Sequence, residues 1–247
     1  MGNFLLAVAR FSFGVSLSLM SLVAMADQKA DDLVKQSDES RGPQGSFSVT
    51  ASIKDSQSGA VKQSVFRVFA KGSTLSLIEQ MAPARLQGRK LLMRDHDLWL
   101  WTPNISRATR IGFEQKLAGE VSNGDIARTN FSEDYSAALS GEETDAGRAV
   151  YKIHLTAKNK DVTYRSIDYW VEKSNHHPVR ATFYAVSGKI IKTALYSDFK
   201  NFLGKPRMSK VVIKDALQTS HISELTYANY KREDLDDARF SKESLGQ

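Results

Sequence analysis

The feature that most constrains this chain is a period of two in its apolar residues, recurring at close spacing from residue 45 to residue 232. Phe47, Val49, Ala51 and Ile53 fall on one side of an extended segment, and Ser48, Thr50, Ser52 and Lys54 fall on the other. Side chains alternate across a strand, so this pattern fits a strand with one buried face. The alternation returns at Ala149, Tyr151, Ile153 and Leu155, and again at Ile167, Tyr169 and Val171. Turn signals separate the runs: Lys71-Gly72-Ser73 after the second, and Ser187-Gly188, a two-residue hairpin signal, between residues 179–186 and 189–196. About eleven strand candidates result, and no strands alternate with long helices, which excludes a doubly wound α/β fold. The expected architecture is mainly β: a single antiparallel, strongly curved sheet forming an unclosed barrel, with short helices as lid or plug. An outer-membrane barrel needs strands of about ten residues with apolar outward faces. Several runs here are shorter and end in charge.

Two interior segments read as helices. Residues 30–41 (ADDLVKQSDESR) place acids early and Arg41 late, before Gly42-Pro43. Asp125 to Leu139 carries Phe131, Tyr135 and Leu139 at helical spacing between Ser122-Asn123-Gly124 and Ser140-Gly141, the pattern of a lid on two joints. Residues 1–26 differ from the rest. Arg10 is their only charge, Phe11 to Met25 is almost wholly apolar, and Ala24-Met25-Ala26 fits a small-x-small cleavage site. The expectation is a signal peptide over 1–26, cleaved after Ala26, and a single domain over 27–247. With no cysteine there is neither a disulfide nor a site for acylation at a mature N-terminal Cys. The product is expected to be soluble and periplasmic.

Removing residues 1–26 takes one of 34 basic and none of 28 acidic residues, leaving 33 against 28, or +5. No nucleic-acid-binding module accompanies this charge, so nucleic acid is not an expected partner. Phospholipid headgroups are the better-matched acidic surface, although plain solubility accounts for the charge equally well. Enzyme chemistry finds no foothold either. There is no Gly-x-Ser-x-Gly elbow, no phosphate-cradling glycine loop and no His-Glu-x-x-His. His176-His177 and Asp95-His96-Asp97 read as solvated turns, and no catalytic residue, metal ligand or cofactor is assigned.

The run Leu98-Trp99-Leu100-Trp101 is apolar on both faces. Leu98 and Leu100 pack one way, which leaves Trp99 and Trp101 facing a second apolar space. Phe66, Val68, Leu77, Leu91, Met93, Trp99 and Trp101 exceed what one sheet face needs, so they are candidates to line a hydrophobic cavity, with Phe131 and Tyr135 from the lid. A large core is the competing explanation. Residues 84–110 are rich in cations, and Arg89, Arg94, Arg107 and Arg110 are candidates to meet a headgroup or a partner, with a solvated outer face the equal alternative.

The stretch GRKLLMRDHDLWLWTPNISRATRI, followed by NFSEDYSAAL, resembles the LolA/LolB-like superfamily, in particular its outer-membrane lipoprotein-sorting branch. YRSIDYWVEKSNHHPVRATFYAVSGKIIKTALYSDF is similar to that family's block of three strands, and LDDARFSKESL to its C-terminal ending. The resemblance implies an incomplete β-barrel with a helical lid over an apolar cavity. By implication the protein carries lipid or lipoprotein acyl chains across the periplasm, with an inner-membrane transport complex and an outer-membrane acceptor as partners. The alternative is a module of the same fold that senses a lipidated ligand and signals to a partner protein.

Overall fold

The computed structural model describes residues 27–105, 107–128 and 130–246; the expected signal peptide lies outside them. Helix α1 (residues 27–41) precedes a meander of β1 (Ser46–Gln57), β2 (Ala60–Lys71), β3 (Leu75–Ala82), β4 (Lys90–Arg94), β5 (Asp97–Trp101) and β6 (Thr109–Ile111). A crossover follows, holding a small hairpin of β7 (Lys116–Ala118) and β8 (Val121–Ser122), then helices α2 (Asn123–Ala127) and α3 (Phe131–Asp134). A second meander completes the chain with β9 (Tyr135–Asp145), β10 (Arg148–Ala157), β11 (Ser166–Glu172), β12 (Pro178–Tyr184), β13 (Ile190–Phe202), β14 (Lys205–Asp215) and β15 (Ile222–Arg232).

The two meanders join edge to edge because β1 pairs antiparallel with β15, giving one 13-stranded sheet in the order 6-5-4-3-2-1-15-14-13-12-11-10-9. Its outer strands, β6 and β9, do not pair with each other, so the barrel is not closed. Bulges at Ser48/Thr50, Val65/Phe66, Trp170/Val171 and Phe183/Tyr184 interrupt the ladder. Each adds local twist, which curls a sheet of this width. The crossover links one sheet edge to the other across the inner face.

One face of nearly every strand feeds a single apolar cluster with α1, α2 and α3. On α1 the buried stripe is Ala30, Leu33 and Val34; on α2 it is Ile126 and Ala127. The expected helix over Asp125 to Leu139 does not form. Two short helices occupy its first part, and the chain is a strand from Tyr135 onward. Burial in β9 alternates, with Tyr135 and Ala137 buried and Ser136 and Ala138 exposed, which is a strand at the sheet edge and not a helical stripe.

Candidate functional site

The inner face brings six of the nine apolar candidates together: Phe66, Val68, Leu91, Met93, Phe131 and Tyr135 are all buried in the main cluster. Phe131 sits edge-on to Tyr135, with ring centroids 5.7 Å apart, and to Tyr169 at 5.4 Å. The Arg41 guanidinium lies 3.5 Å from the Phe131 centroid on a further side. Leu77, Trp99 and Trp101 face the other way. With Phe69 and Leu92 they form a separate cluster on the outer face, covered by Leu235, Phe240 and Leu245 of the C-terminal segment. The second apolar space read from the Leu98 to Trp101 run is therefore filled by the protein's own tail, and Lys242 lies 4.4 Å from the Trp99 ring centroid.

The voids found on the inner face are small. Between α1, α2 and strands β1 and β2 there remain ≈ 20 Å³, lined by Phe47, Val49, Val68, Ile126 and Tyr227 among others. A second void of ≈ 10 Å³ lies among Phe66, Ile78, Leu91, Leu100, Leu117 and Arg89. These are about the room one water needs. A cleft of ≈ 370 Å³ lies where β1, β2 and β3 meet the β7 turn, and a more open one of ≈ 620 Å³ lies between α1 and Tyr151 and His176. Gln80 and Leu117 line both the ≈ 370 Å³ cleft and the ≈ 10 Å³ void, so this cleft adjoins the void across these side chains. Lys62 and Arg85 stand at its mouth and Arg89 at the void. Of the other candidate cations, Arg94 donates to the Phe240 carbonyl on the tail side at 3.2 Å, Arg110 pairs with Asp97, and Arg107 is exposed in the loop after β5.

Buried polar groups fasten the crossover, and the sequence pattern did not expose them. Lys192 of β13, 2% exposed, donates to the Glu120 carbonyl (2.7 Å), Ser122 Oγ (3.2 Å) and Asp125 Oδ2 (2.6 Å), all on the crossover. Asp125 also caps α2 through the Ser122 N–H and accepts from Tyr164 Oη at 2.6 Å. Burial first, and then the adjacent Asp125 carboxylate, hold the Tyr164 phenol well above its usual range. A second fastening places His221, just before β15, between Asp55 (Nε2 to Oδ1, 2.9 Å) and Glu120 (Nδ1 to Oε1, 2.9 Å). Gly119 beside it has φ +54° and lies so close that a Cβ would stand 2.1 Å from Asp55 Oδ1, so only glycine fits this turn. At the third, Asp38 of α1 accepts from the Phe131 N–H at 3.0 Å and the Ser132 N–H at 2.8 Å and pairs with Arg41 at 3.1 Å. Burial raises the Asp38 carboxyl above the usual range, against the opposing pull of Arg41 and of the Ser132 and Phe131 N–H groups. Arg128 pairs with Asp134, tying the end of α2 to α3.

Ser223, His221 and Asp55 lie together, yet they do not form a nucleophilic triad. The Ser223 hydroxyl donates to Asp55 at 2.6 Å and the serine is fully buried, whereas a nucleophile must hand its proton to the base and face a substrate. His177 stacks on Phe199 with centroids 4.0 Å apart, and its burial lowers its basicity. Among the described residues no group of three His, Asp or Glu is placed to hold a metal ion. No described helix is long and apolar enough to cross a membrane.

Residues 72–247 match a family model whose description, "-like: Uncharacterized protein", names no activity. No curated protein matches the chain by sequence. Among solved structures the chain is similar to a LolA superfamily protein from Nitrosomonas europaea, 36% identical, with 87% of this chain and 98% of that one covered and a TM-score of 0.83. It also shares its fold with a DUF1329 family protein from Desulfovibrio piger (22% identity, 89% and 99% covered, TM-score 0.78). A third match is a putative outer membrane lipoprotein-sorting protein domain from Vibrio parahaemolyticus (18% identity, 90% and 100% covered, TM-score 0.76).

Proposed function

For a chain that belongs to the LolA superfamily, we propose the role of a periplasmic carrier that takes lipid or lipoprotein acyl chains into the space between the inner sheet face and the crossover, and assists their transfer towards the outer membrane. The observation that carries this reading is the inner face itself: strands from both meanders contribute apolar side chains to one surface, and only α1 and a short-helix crossover cover it. A chain of about 16 carbons, at about 0.8 kcal/mol per CH₂, resists transfer through water by on the order of 10 kcal/mol. Such cargo needs a sleeve that excludes water on all sides, and a curled sheet with a removable cover supplies one. Phe66, Val68, Leu91, Met93, Phe131 and Tyr135 are the proposed lining, and Arg89, at the ≈ 10 Å³ void, is the proposed contact for a phosphate or carboxylate. The protein is a binding protein and not an enzyme; its named relatives are a LolA superfamily protein and a lipoprotein-sorting domain. Delivery implies a donor and an acceptor, for which an inner-membrane transport complex and an outer-membrane receptor are the proposed partners.

Native mass spectrometry of gently purified protein tests the binding step, and transfer of labelled phospholipid or acylated peptide between donor and acceptor vesicles tests the carrier step. Co-purified lipid and protein-dependent transfer are expected. Absence of bound lipid together with no uptake of a fluorescent acyl probe would refute the proposal, while uptake without release would make the protein a sensor.

A further inference from the structure

Eight large apolar side chains are exposed among the described residues, and seven of them lie at one end of the sheet. Strand order and register fix this. The turns at residues 58–59, 83–89, 102–108, 158–165, 185–189 and 216–221 share one end, because each joins strands that run antiparallel in an unbroken meander and β1 ends beside the start of β15 (Ser56 opposite Ile222). Val61 and Met81 flank the first two of these turns, Ile105 is within the third, Val186, Ile190 and Ile191 belong to the fifth hairpin, and Leu217 tops the sixth. Val186 and Leu217 stand 89% and 92% exposed. Only Leu195, on β13, lies away from the turns.

Charge divides the same way. The six turns at this end carry seven Lys or Arg and a single acid, Asp161. The turns at the opposite end, at residues 72–74, 95–96, 146–147, 173–177 and 203–204, carry one Asp and one Lys, and none of the exposed large apolar residues. The ≈ 370 Å³ cleft lies at the apolar and basic end, lined by Lys62, Arg85, Leu117 and one acid, Asp55.

We propose that this end of the sheet is a membrane-docking face that seats on an anionic phospholipid surface with the cleft mouth turned towards the lipid. Single exposed apolar residues are ordinary on soluble proteins, but their collection in and beside the turns at one end, interleaved with cations, is not explained by folding. A protein partner would favour a contiguous, well-packed apolar patch with charge at its rim. Scattered apolar residues at one end suit a fluid interface: apolar side chains reach the acyl boundary while Lys and Arg sit level with phosphate. The inference does not rest on the carrier reading, since docking and cargo binding are measured separately.

The chain has no cysteine, so Leu217→Cys gives a single attachment point for an environment-sensitive fluorophore. With vesicles of phosphatidylethanolamine and phosphatidylglycerol, the label should shift to the blue and the protein should co-float. Raising salt from about 0.1 M to about 1 M, which shortens the Debye length from about 10 Å to about 3 Å, should weaken binding. Val186→Asp with Leu217→Asp, at positions that support no packing, should lower vesicle affinity at least tenfold and leave any co-purified lipid in place. Ser174→Asp at the opposite end should change nothing. The proposal is overturned if anionic vesicles bind no better than neutral ones, if the double variant binds as well as the parent, or if binding appears only on native membranes that contain protein.

Discussion

Replacing Lys192 with Met tests whether the crossover is a fastened lid. The ammonium is buried and donates to three crossover groups, Glu120 O, Ser122 Oγ and Asp125 Oδ2. It also lies 5.1 Å from the Tyr164 ring centroid and 5.8 Å from that of Phe183. Met keeps the length and apolar bulk of the stem and removes the charge. Breaking a buried ion pair from one side costs about 3 to 5 kcal/mol. Asp125 still accepts from the Ser122 N–H at 2.8 Å and from Tyr164 Oη at 2.6 Å, so the lower end applies. At 1.4 kcal/mol per decade, about 3 kcal/mol raises the opening equilibrium of the crossover by about two decades. Hydrogen exchange should show amides of residues 112–128 losing protection by about that factor while Ile153 and Leu155 of β10 keep theirs, and uptake of an acyl probe should be faster. Adding Asp125→Asn should recover part of the loss, because the uncompensated charge is then gone. Unchanged exchange at 112–128, or equal loss of protection there and in β10, would refute the reasoning: the segment would then be ordinary core.

The two faces of the first meander should separate in mutants. Trp99→Ala should cost about 3 to 5 kcal/mol by loosening the Leu235–Phe240–Leu245 cover, with acyl affinity of the folded fraction unchanged, whereas Leu91→Ala should lower that affinity; calorimetry and probe titration distinguish them. Removing residues 235–247 bares Phe69, Leu77, Leu92 and Trp99, so the truncated protein should aggregate and bind a hydrophobic dye, as light scattering would show. Burial raises the phenols of Tyr135, Tyr164, Tyr169, Tyr196, Tyr227 and Tyr230, that of Tyr196 to about 12. The unfolded chain releases these protons near pH 10 and the folded one holds them, so stability should fall as pH rises above about 10. Absorbance of tyrosinate at these positions should appear together with unfolding and not before it.

Strands carrying at least four or five residues of alternation were legible from sequence, and the eleven expected runs all appear, most with ends moved by one to a few residues. The four strands that escaped were short or ambiguous. Thr109–Ile111 is too brief to show a period. Phe131, Tyr135 and Leu139 are four apart, a spacing that satisfies both a helix and a strand, and only the small Ala137 breaks the tie. Two apolar faces could be read at Leu98 to Trp101, but periodicity states that a face needs cover and not what covers it. The covering residues, Leu235, Phe240 and Leu245, stand five apart around short 3₁₀ turns and display neither period.

The lid's fastenings were invisible for a different reason. Lys192 meets Glu120 across 72 residues, His221 meets Asp55 across 166, and Phe131 meets Asp38 across 93. Each looks like a solvated charge until the β1–β15 pairing closes the sheet and lays the crossover against it. The division has a functional sense under the proposed reading. Apolar alternation sets how much acyl surface the sleeve can hide, and that contact is non-directional. Directional, charge-assisted bonds set where the cover sits, and they carry a definite cost for moving it. Cargo that enters by the cleft must compete with crossover side chains such as Val121 and Ile126 for the inner face. The energy it recovers there must exceed the loss at Lys192 and His221. A carrier built this way stays shut when empty and opens only for a ligand with enough apolar surface, so weakening the fastenings should widen the range of chain lengths it accepts, and probes of graded acyl length would read that change directly.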